Sequence, residues 1–332
     1  MNIASIGEFG LIRRFSPPFQ ESLPGGTTGI GDDCAVMPWK EGRSLLVTTD
    51  MLVEEIHFLR ERIPPRDLGY KALAVNLSDI AAMGGTPETA YLSIGLPGEI
   101  ALDWMDEFFL GLRELADEEE VYLLGGDTTR SPAPLIINVA VLGTVNSGRV
   151  KYRSDARLGD TVCVTGRLGD SGAGLRILLE KRPMDGDASY LLRRHHRPRA
   201  HVGEGCWLGA REEVHAMMDV SDGIDSDMKR IMERSRCGAR IDLDRLPLSE
   251  QLERSAVRFG WDPEEIAATG GEDYCLLATV DSAGWPDVAR GFEETFGRPL
   301  AAIGSVTDSS LVYLHGDRPA ELGKKGFNHF TE

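Results

Sequence analysis

Short acidic clusters set among Gly, Ser or Thr constrain this chain more than any other feature. Five read GIGDD (29–33), TTD (48–50), NLSD (76–79), GGDTT (125–129) and DVSDG (219–223), and a sixth, GGED (270–273), follows. Carboxylates with such small neighbours do not serve to fill a core, and small neighbours let oxygen atoms approach a hard cation such as Mg²⁺. The fold must therefore bring these segments to one cleft, where several cations would let an acidic protein hold polyphosphate.

Composition bounds the class of protein. The 332 residues suffice for two domains, and a hydrophobic fraction of 42% is normal for a globular protein. The formal net charge of -17 argues against sequence-independent nucleic-acid binding, which depends on Lys and Arg neutralising phosphates. Nucleotide binding stays open, because metal ions can supply the positive charge.

Cysteine usage and hydropathy bear on location. The five cysteines are widely spaced and form no Cys-x-x-Cys pair, as expected for reduced thiols. No signal-peptide segment is visible in residues 1–15, and no run of eighteen apolar residues occurs. The sequence therefore predicts a cytoplasmic protein that has neither a membrane nor a nucleic acid as its partner.

Two acidic clusters follow short apolar runs. Residues 45–49 lead to Asp50, and residues 121–124 lead to the Gly-Gly-Asp triplet that ends at Asp127. Both runs read as buried strands that deliver a carboxylate at their C-terminal ends. The apolar stretch before Asp219 is too short to predict a strand.

A helix is predicted over residues 67–83, between a Pro-Pro and a Gly-Gly pair. The positions that follow the spacing of one helical face are Leu68, Ala72, Val75, Asp79 and Ala82. An ionised carboxylate on a partly buried face needs a partner or a metal, which makes Asp79 a candidate ligand. Further helices are predicted at 104–118, 172–181 and 225–236.

A shift in pattern near residue 150 predicts a domain boundary. A β-branched strand at 135–145 is followed by a polar stretch, and a new strand begins at 161–165. We therefore divide the chain into residues 1–150 and 151–332.

Other features give weaker signals. Residues 185–199 carry two adjacent histidines and several arginines, and they read as a surface segment. The glycine-rich stretch 169–174 could approach phosphate, but it matches no dinucleotide fingerprint, and no P-loop or kinase signature occurs. His57 is a candidate proton carrier, although an isolated histidine is more often structural. Asp is also a common turn and N-cap residue, so Asp222 before the helix at 225–236 retains a capping interpretation.

The order of the motifs resembles that of the thiamine-monophosphate kinase family, in the superfamily that includes aminoimidazole ribonucleotide synthetase. The matching segments are GEFGLIRR, GIGDDCAV, TTDMLVEEIHF, KALAVNLSDIAAMGG, GGDTT, DVSDG, GGEDY and GFNHF, which extend from residue 7 to residue 330. Each motif alone is short, but the ordered set is specific. The resemblance implies ATP-dependent phosphorylation of thiamine monophosphate to thiamine diphosphate.

The resemblance also implies roles for individual residues. Several Mg²⁺ ions would be held by Asp32, Thr48, Thr49, Asp50, Asp79, Asp127, Asp219 and Asp222. ATP would contact Gly126, Asp127, Arg153 and Ser221, and Phe109 is the best match for a further aromatic contact. Thiamine monophosphate would contact His57, Glu272 and Phe327, and Glu272 or an aromatic face could favour its cationic thiazolium ring.

No catalytic base is expected. The acceptor is a phosphate monoester whose second pKa is about 6, so its oxygen is mostly ionised at neutral pH. The obstacle is repulsion between two anions, which positioning and cations address. Direct in-line transfer without a phosphoenzyme is therefore expected.

The fold implied by the resemblance is α/β (α+β) with two domains. The N-terminal domain would hold metal and ATP on a mixed sheet with flanking helices, and this sheet would pair across a homodimer. The C-terminal domain would be α/β.

Two alternatives remain open. The first is another member of the superfamily, but the chain lacks the reactive N-terminal Cys of selenophosphate synthetase and the C-terminal Cys of the hydrogenase maturation relative. Aminoimidazole ribonucleotide synthetase is harder to exclude, and the TTDMLVEEIHF and GFNHF segments favour the thiamine enzyme. The second is a non-catalytic nucleotide or Mg²⁺ sensor, which would lack acceptor-side groups such as His57, Glu272 and Phe327.

Overall fold

The computed structural model describes residues 7–21, 23–40 and 42–323, whose regular elements form two sheets with packed helices. Two short helices, α1 (Gly7–Phe15) and α2 (Pro17–Gln20), come before the first sheet. The two sheets and the helices on them confirm the predicted α/β class.

The first sheet has five strands in the order β1-β2-β5-β3-β4. These are β1 (Ala35–Pro38), β2 (Arg43–Val53), β3 (Thr86–Leu96), β4 (Tyr122–Arg130) and β5 (Ile136–Asn146). β5 pairs antiparallel with β2 and β3, whereas β3 and β4 are parallel. Parallel neighbours need a crossover, which α4 (Leu102–Glu118) provides. The sheet is therefore mixed, as predicted.

Helix α3 (Pro65–Ala82) lies between the first sheet and the second half of the chain, and it confirms the helix predicted at 67–83. It packs against β2, β5 and α4 on one side and against α7 and β7 on the other. Pro65 stands in its first turn, where a missing N–H breaks no helical hydrogen bond. Nearly every side chain of α3 is buried, because the helix is packed between the first sheet and the second half of the chain.

The second sheet has seven strands in the order β12-β11-β8-β10-β6-β9-β7. The strands are β6 (Thr161–Val164), β7 (Val214–Asp219), β8 (Gly238–Asp242), β9 (Leu276–Val280), β10 (Ala301–Thr307), β11 (Val312–His315) and β12 (Arg318–Ala320). The helices are α5 (Asp170–Leu179), α6 (Gly186–His196), α7 (Val202–Gly209), α8 (Ile224–Ser235), α9 (Glu250–Phe259), α10 (Pro263–Thr269) and α11 (Trp285–Phe296). The helices predicted at 104–118, 172–181 and 225–236 are confirmed as α4, α5 and α8. The domain boundary near residue 150 stays a prediction.

The strand predictions before the acidic clusters were wrong in detail. β2 continues through Asp50 to Val53, so this carboxylate lies within the strand. β4 was expected to be buried, but all its residues are exposed because it forms an edge of the sheet. A third strand, β7, ends at Asp219 where the sequence predicted none. Apolar runs indicate strands, but they do not fix strand length or the order of strands within a sheet.

Residues 185–199 are not the predicted surface segment, because most of them form α6. His195 and His196 are each only 5% exposed, since α5 and α9 pack against this helix. The arginines near these histidines made the segment read as a charged surface stretch, although it forms an amphipathic helix.

Two predictions about location have structural counterparts. Within the described ranges, no helix has the length and apolar character needed to cross a membrane. All five cysteines are free thiols. The cytoplasmic location itself stays a prediction.

Candidate active site

A pocket of about 1180 Å³ opens where the first sheet, α3 and the loops of the second half meet. Five of the six acidic clusters contribute lining residues, although they are spread over more than 240 positions from GIGDD to GGED. The sixth cluster, GGDTT, lies on β4 and does not line the pocket. The fold thus brings distant acidic segments together, while leaving one of them apart.

Three carboxylates converge at one end of the pocket. Asp33, Asp79 and Asp219 each present an oxygen within 4.8 Å of the other two. α3 supplies Asp79, the end of β7 supplies Asp219, and the loop before β1 supplies Asp33. Asp33 was not among the predicted ligands, and its signal was the pair of adjacent acids in the GIGDD motif.

The electrostatics of this acidic cluster are unfavourable without a cation. Burial raises the pKa of Asp79 well above its usual value, and the charges of Asp50, Asp219 and Asp33 raise it further. Burial also raises the pKa of Asp219, although Ser78 Oγ donates a hydrogen bond to it at 2.7 Å. Carboxylates held this close repel each other unless a proton or cation intervenes. The donor set consists of oxygen atoms, which fits Mg²⁺.

Strand β2 places further oxygen atoms beside α3. The Thr48 hydroxyl donates a hydrogen bond to Asp79, and the backbone N–H of Asp50 donates to Asn76 Oδ1 at 2.9 Å. Thr49, next to them, also lines the pocket. Thr48 and Asp50 of the TTD motif therefore lie next to Asp79, and bonds between β2 and α3 fix their positions. The Thr49 hydroxyl instead accepts a hydrogen bond from Asn138 on β5 at 2.9 Å.

Arginines compensate the acids at the edge of the cluster. The Arg153 guanidinium binds Asp33, with Nε at 3.2 Å, and its backbone N–H donates to Asp32 at 2.8 Å. Arg234 lies 3.6 Å from Asp32. Burial disfavours the charge of Arg153, but the carboxylates outweigh it and raise the pKa of Arg153. Burial still raises the pKa of Asp32.

Asp222 and Ser221 line the pocket after β7. The Asp222 carboxylate pairs with Arg230, and its backbone N–H donates to Asp227 Oδ2 at 3.2 Å. The N-cap of α8 is Gly223, and no side chain caps this helix. The capping interpretation of Asp222 is therefore wrong.

The residues predicted for ATP on β4 and α4 lie away from the pocket. Gly126 and Asp127 are on the exposed edge strand, and Phe109 is 43% exposed on α4. Among the described residues that line the pocket, none belongs to either element. Gly126 also has a structural role, because a Cβ there would lie 1.7 Å from the carbonyl oxygen of Leu92 on β3.

The other end of the pocket holds a carboxylate that has its own cation. Lys71 Nζ lies 2.9 Å from each oxygen of Glu272, and His195 Nδ1 lies 3.1 Å from Oε2. Burial would raise the pKa of Glu272, but the charge of Lys71 and these hydrogen bonds hold it well below its usual value. Sequence reasoning missed Lys71 and His195, although a lysine inside an apolar helix was a visible signal.

His57 and Phe327 complete the predicted substrate contacts. His57 lines the pocket, and its Nδ1 accepts a hydrogen bond from the backbone N–H of Val53 at 3.0 Å. A neutral ring with that bond carries its proton on Nε2. Phe327 lies outside the described residues.

The glycine-rich start of α5 holds a carboxylate of the protein itself. Asp273 accepts hydrogen bonds from the backbone N–H groups of Gly169 at 2.6 Å and Ser171 at 3.2 Å. Burial raises the pKa of Asp273 to about 7. Asp273 therefore already occupies two amides of this stretch, whereas Ser171 and Gly172 line the pocket, so the phosphate contact considered for residues 169–174 stays a prediction.

Two family models together match most of the chain. Residues 31–145 match the AIR synthase related protein, N-terminal domain, and residues 157–317 match the AIR synthase related protein, C-terminal domain. The thiamine-monophosphate kinase of Escherichia coli (strain K12) is 41% identical over 334 residues, which cover 98% of each chain. That of Bacillus subtilis (strain 168) is 38% identical and covers 91% of this chain and 93% of its own.

Solved structures agree with these sequence matches. AaThiL complexed with AMPPCP and TMP is 33% identical, with a TM-score of 0.86 and coverage of 99% of both chains. The thiamine-monophosphate kinase of Stenotrophomonas maltophilia K279a is 36% identical, with a TM-score of 0.77 and coverage of 92% of this chain and 96% of its own. The hydrogenase maturation protein HypE in complex with ATP, at 17% identity and a TM-score of 0.70, shares the fold alone.

Proposed function

Because the chain belongs to the thiamine-monophosphate kinase family, we propose that it transfers the γ-phosphoryl group of ATP to thiamine monophosphate. The chain is a phosphotransferase with the two-domain fold of the AIR synthase related proteins. One observation carries the proposal: a single pocket has at one end a cluster of carboxylates that Arg153 compensates only at its edge, and at the other end a lysine-bound carboxylate. The first suits cations with polyphosphate, and the second suits an organic acceptor.

The acidic end is the proposed binding site of Mg²⁺ and the ATP phosphates. Asp33, Asp79 and Asp219 would hold the metal, with the oxygen atoms of Thr48 and Asp50 beside them. Bound Mg²⁺ would supply positive charge that lowers the repulsion between donor and acceptor phosphates. The metal-binding residues have fixed positions on α3, β2 and β7, and these positions provide the pre-organisation on which phosphoryl transfer mainly depends.

The transfer step needs little proton chemistry. The acceptor oxygen of a phosphate monoester is mostly ionised at neutral pH, since its second pKa is about 6. Arg153, whose charge the surrounding carboxylates maintain, lines the same end of the pocket and would orient phosphate oxygens. We propose direct in-line transfer between the two anions, without a phosphoenzyme.

The acceptor end combines polar groups with an apolar wall. Glu272 and His57 line it, together with the exposed apolar side chains of Ile56, Leu175 and Leu179. Apolar walls with few convergent polar groups are typical of sites for small organic ligands. This wall would contact the two rings of thiamine monophosphate.

We also propose a homodimer that pairs through the first sheets. The edge strand β4 exposes Tyr122, Leu123 and Leu124, and an open strand edge is a template for pairing with another chain. Asp127 lies three strands from Asp50, or about 14 Å at the usual strand spacing. A second copy would let Asp127 reach the ATP end of its partner's pocket, which explains its position outside its own.

A coupled assay for ADP release tests the reaction. ADP should form with Mg²⁺, ATP and thiamine monophosphate together. It should not form when thiamine, which lacks the phosphate acceptor, replaces the monophosphate. A protein that binds ATP but releases no ADP under any of these conditions would be a sensor, and the proposal would be rejected.

Mixed dimers test the shared site. Asp79→Asn and Asp127→Asn should each abolish most activity. If the sites are shared, co-expression of the two variants should restore about a quarter of wild-type activity. Half of the dimers are then heterodimers, and each heterodimer contains one intact site of two. Light scattering gives the oligomeric state. Failure to restore activity would place Asp127 in its own subunit's chemistry or outside the site.

A further inference from the structure

The Glu272 carboxylate is partnered on most of its accepting surface. A carboxylate has about four lone-pair sites. Lys71 Nζ contacts both oxygens at 2.9 Å, and His195 Nδ1 contacts Oε2 at 3.1 Å. With the His195 proton on Nδ1, which Ser171 Oγ also contacts at 3.1 Å, three of about four sites are occupied, and the remaining site belongs to Oε1.

Lys71 is saturated by the same arrangement. An ammonium group has three N–H donors. Two contact the Glu272 oxygens, and the third donates to the backbone carbonyl of His195 at 3.3 Å. The side chain of Lys71 is 1% exposed, whereas that of Glu272 is 23% exposed. The lysine therefore lies behind the carboxylate, and of the two groups the glutamate is the one that is exposed to a ligand in the pocket.

The backbone holds Glu272 in a conformation that side chains rarely adopt. Its φ is +62°, and that of Tyr274 is +50°. The N–H groups of Glu272 and Tyr274 donate to the carbonyls of Ser221 at 2.8 Å and Val220 at 2.9 Å. Positive φ at such residues is sparsely populated and persists only when surrounding structure enforces it. The direction of the Glu272 side chain is therefore fixed from both ends.

We propose that Lys71 is a positioning residue, which holds Glu272 as a charge-compensated acceptor for one N–H donor of the phosphate acceptor. This inference rests on the proposed function. In thiamine monophosphate the matching group is the amino group of the pyrimidine ring, because the alkylated nitrogen of the thiazolium ring carries no hydrogen. Glu272 thus recognises an N–H donor of the substrate. It does not recognise the positive charge of the thiazolium ring, because Lys71 already compensates the charge of the carboxylate.

Lys71→Met tests the proposal, because methionine fills similar volume without charge or donors. We expect KM for thiamine monophosphate to rise at least tenfold, while KM for ATP changes less than twofold. The wild-type protein should prefer thiamine monophosphate over its 4-oxo analogue by at least tenfold in kcat/KM. The variant should lose most of that preference, since the acceptor is no longer fixed.

Lys151→Met is the matched control. Lys151 is also a buried lysine, but its Nζ donates to the backbone carbonyls of Arg211 and Val214, each at 2.7 Å, outside the pocket. This variant should lose stability and keep the wild-type preference for the amino substrate. If it loses the preference as well, the effect of Lys71 is general destabilisation and the proposal is overturned.

A double variant addresses folding. Lys71→Met leaves a buried carboxylate without its cation, whereas Lys71→Met with Glu272→Gln removes both charges and should unfold at a higher denaturant concentration. The double variant should still lack the substrate preference. Wild-type preference in either variant would refute the proposal. Absence of ADP formation by the wild-type protein would instead refute the proposed function. The substrate preference in kcat/KM tests only the role of Lys71.

Discussion

At one end of the pocket Asp79 and Asp219 are buried beside other acids, whereas at the other end Glu272 is buried against Lys71. Burial alone would raise the pKa of all three carboxyls. It does so for the two aspartates, but the lysine reverses the direction for the glutamate. The pKa values of these carboxyls are therefore shifted in opposite directions, upward for the two aspartates and downward for the glutamate.

The difference indicates what each end requires from outside the protein. Repulsion between the clustered acids lowers the free energy of unfolding, and binding of a metal cation restores it. An acid with an internal cation is complete in the absence of ligand and offers a fixed acceptor. We therefore expect the acidic end to depend on metal and the Glu272 end to be insensitive to it.

Asp79→Asn should give the largest effect. We expect kcat to fall by about 10²- to 10³-fold, because a metal-binding charge is lost. Without Mg²⁺ the free energy of unfolding should rise by about 1 kcal/mol, because repulsion within the cluster decreases. Steady-state kinetics and urea unfolding measure the two quantities. Asp106→Asn, an exposed site on α4, is the control that should change neither. Full activity of Asp79→Asn at limiting Mg²⁺ would contradict the metal assignment.

Glu272→Gln should have the opposite effect on stability. It leaves Lys71 buried without an anion, so the free energy of unfolding should fall by about 3 kcal/mol, with or without Mg²⁺. Glu250→Gln provides the comparison, because its ion pair with Arg254 is exposed and screened by solvent, so its loss should matter much less. Urea unfolding distinguishes them. Equal losses at the two positions would show that burial of Lys71 does not matter.

Mg²⁺ alone should stabilise the wild-type protein. At a hundred times its Kd, a ligand specific to the folded state adds about 2.7 kcal/mol. A thermal unfolding series with increasing Mg²⁺ should show a rise of a few degrees in Tm for the wild type and for Glu272→Gln. Asp219→Asn should show little rise. The same rise in all three proteins would mean that the ion binds elsewhere.

Asp273→Asn should change the pH dependence of stability. Burial raises the pKa of Asp273 to about 7, above its unfolded value of about 3.9. The folded state therefore binds the proton more tightly, and this contribution to stability is lost as pH rises between about 4 and 7. The slope is at most about 1.4 kcal/mol per pH unit, and the asparagine variant should lack it. Urea unfolding at pH 5 and pH 8 provides the measurement, and identical slopes would refute the assignment.

The sequence predicted much of the fold for a physical reason. Helical periodicity and Pro or Gly boundaries identified α3 and α4 within two residues at each end. The acidic motifs among small residues also identified Asp79 and Asp219, because carboxylates in such surroundings have few other uses. These signals are local, so one chain suffices to read them.

The remaining features depend on long-range packing. Nothing local shows that β4 is an edge strand, or that Lys71 meets a glutamate 201 positions later. The burial of His195 depends in the same way on α5 and α9. Asp33 was available in the sequence but was passed over for its neighbour Asp32, because only the fold shows which of two adjacent acids faces the others.

Helix α3 carries both Asp79 and Lys71, eight residues apart, and therefore fixes the distance between the two ends of the pocket. At 1.5 Å per residue the two Cα positions are separated by about 12 Å along the axis. Deleting one residue between them would shorten this distance by only about 1.5 Å but would rotate one end by about 100° relative to the other. The length and phase of this helix thus set how far apart donor and acceptor are held, which side-chain substitutions alone cannot adjust.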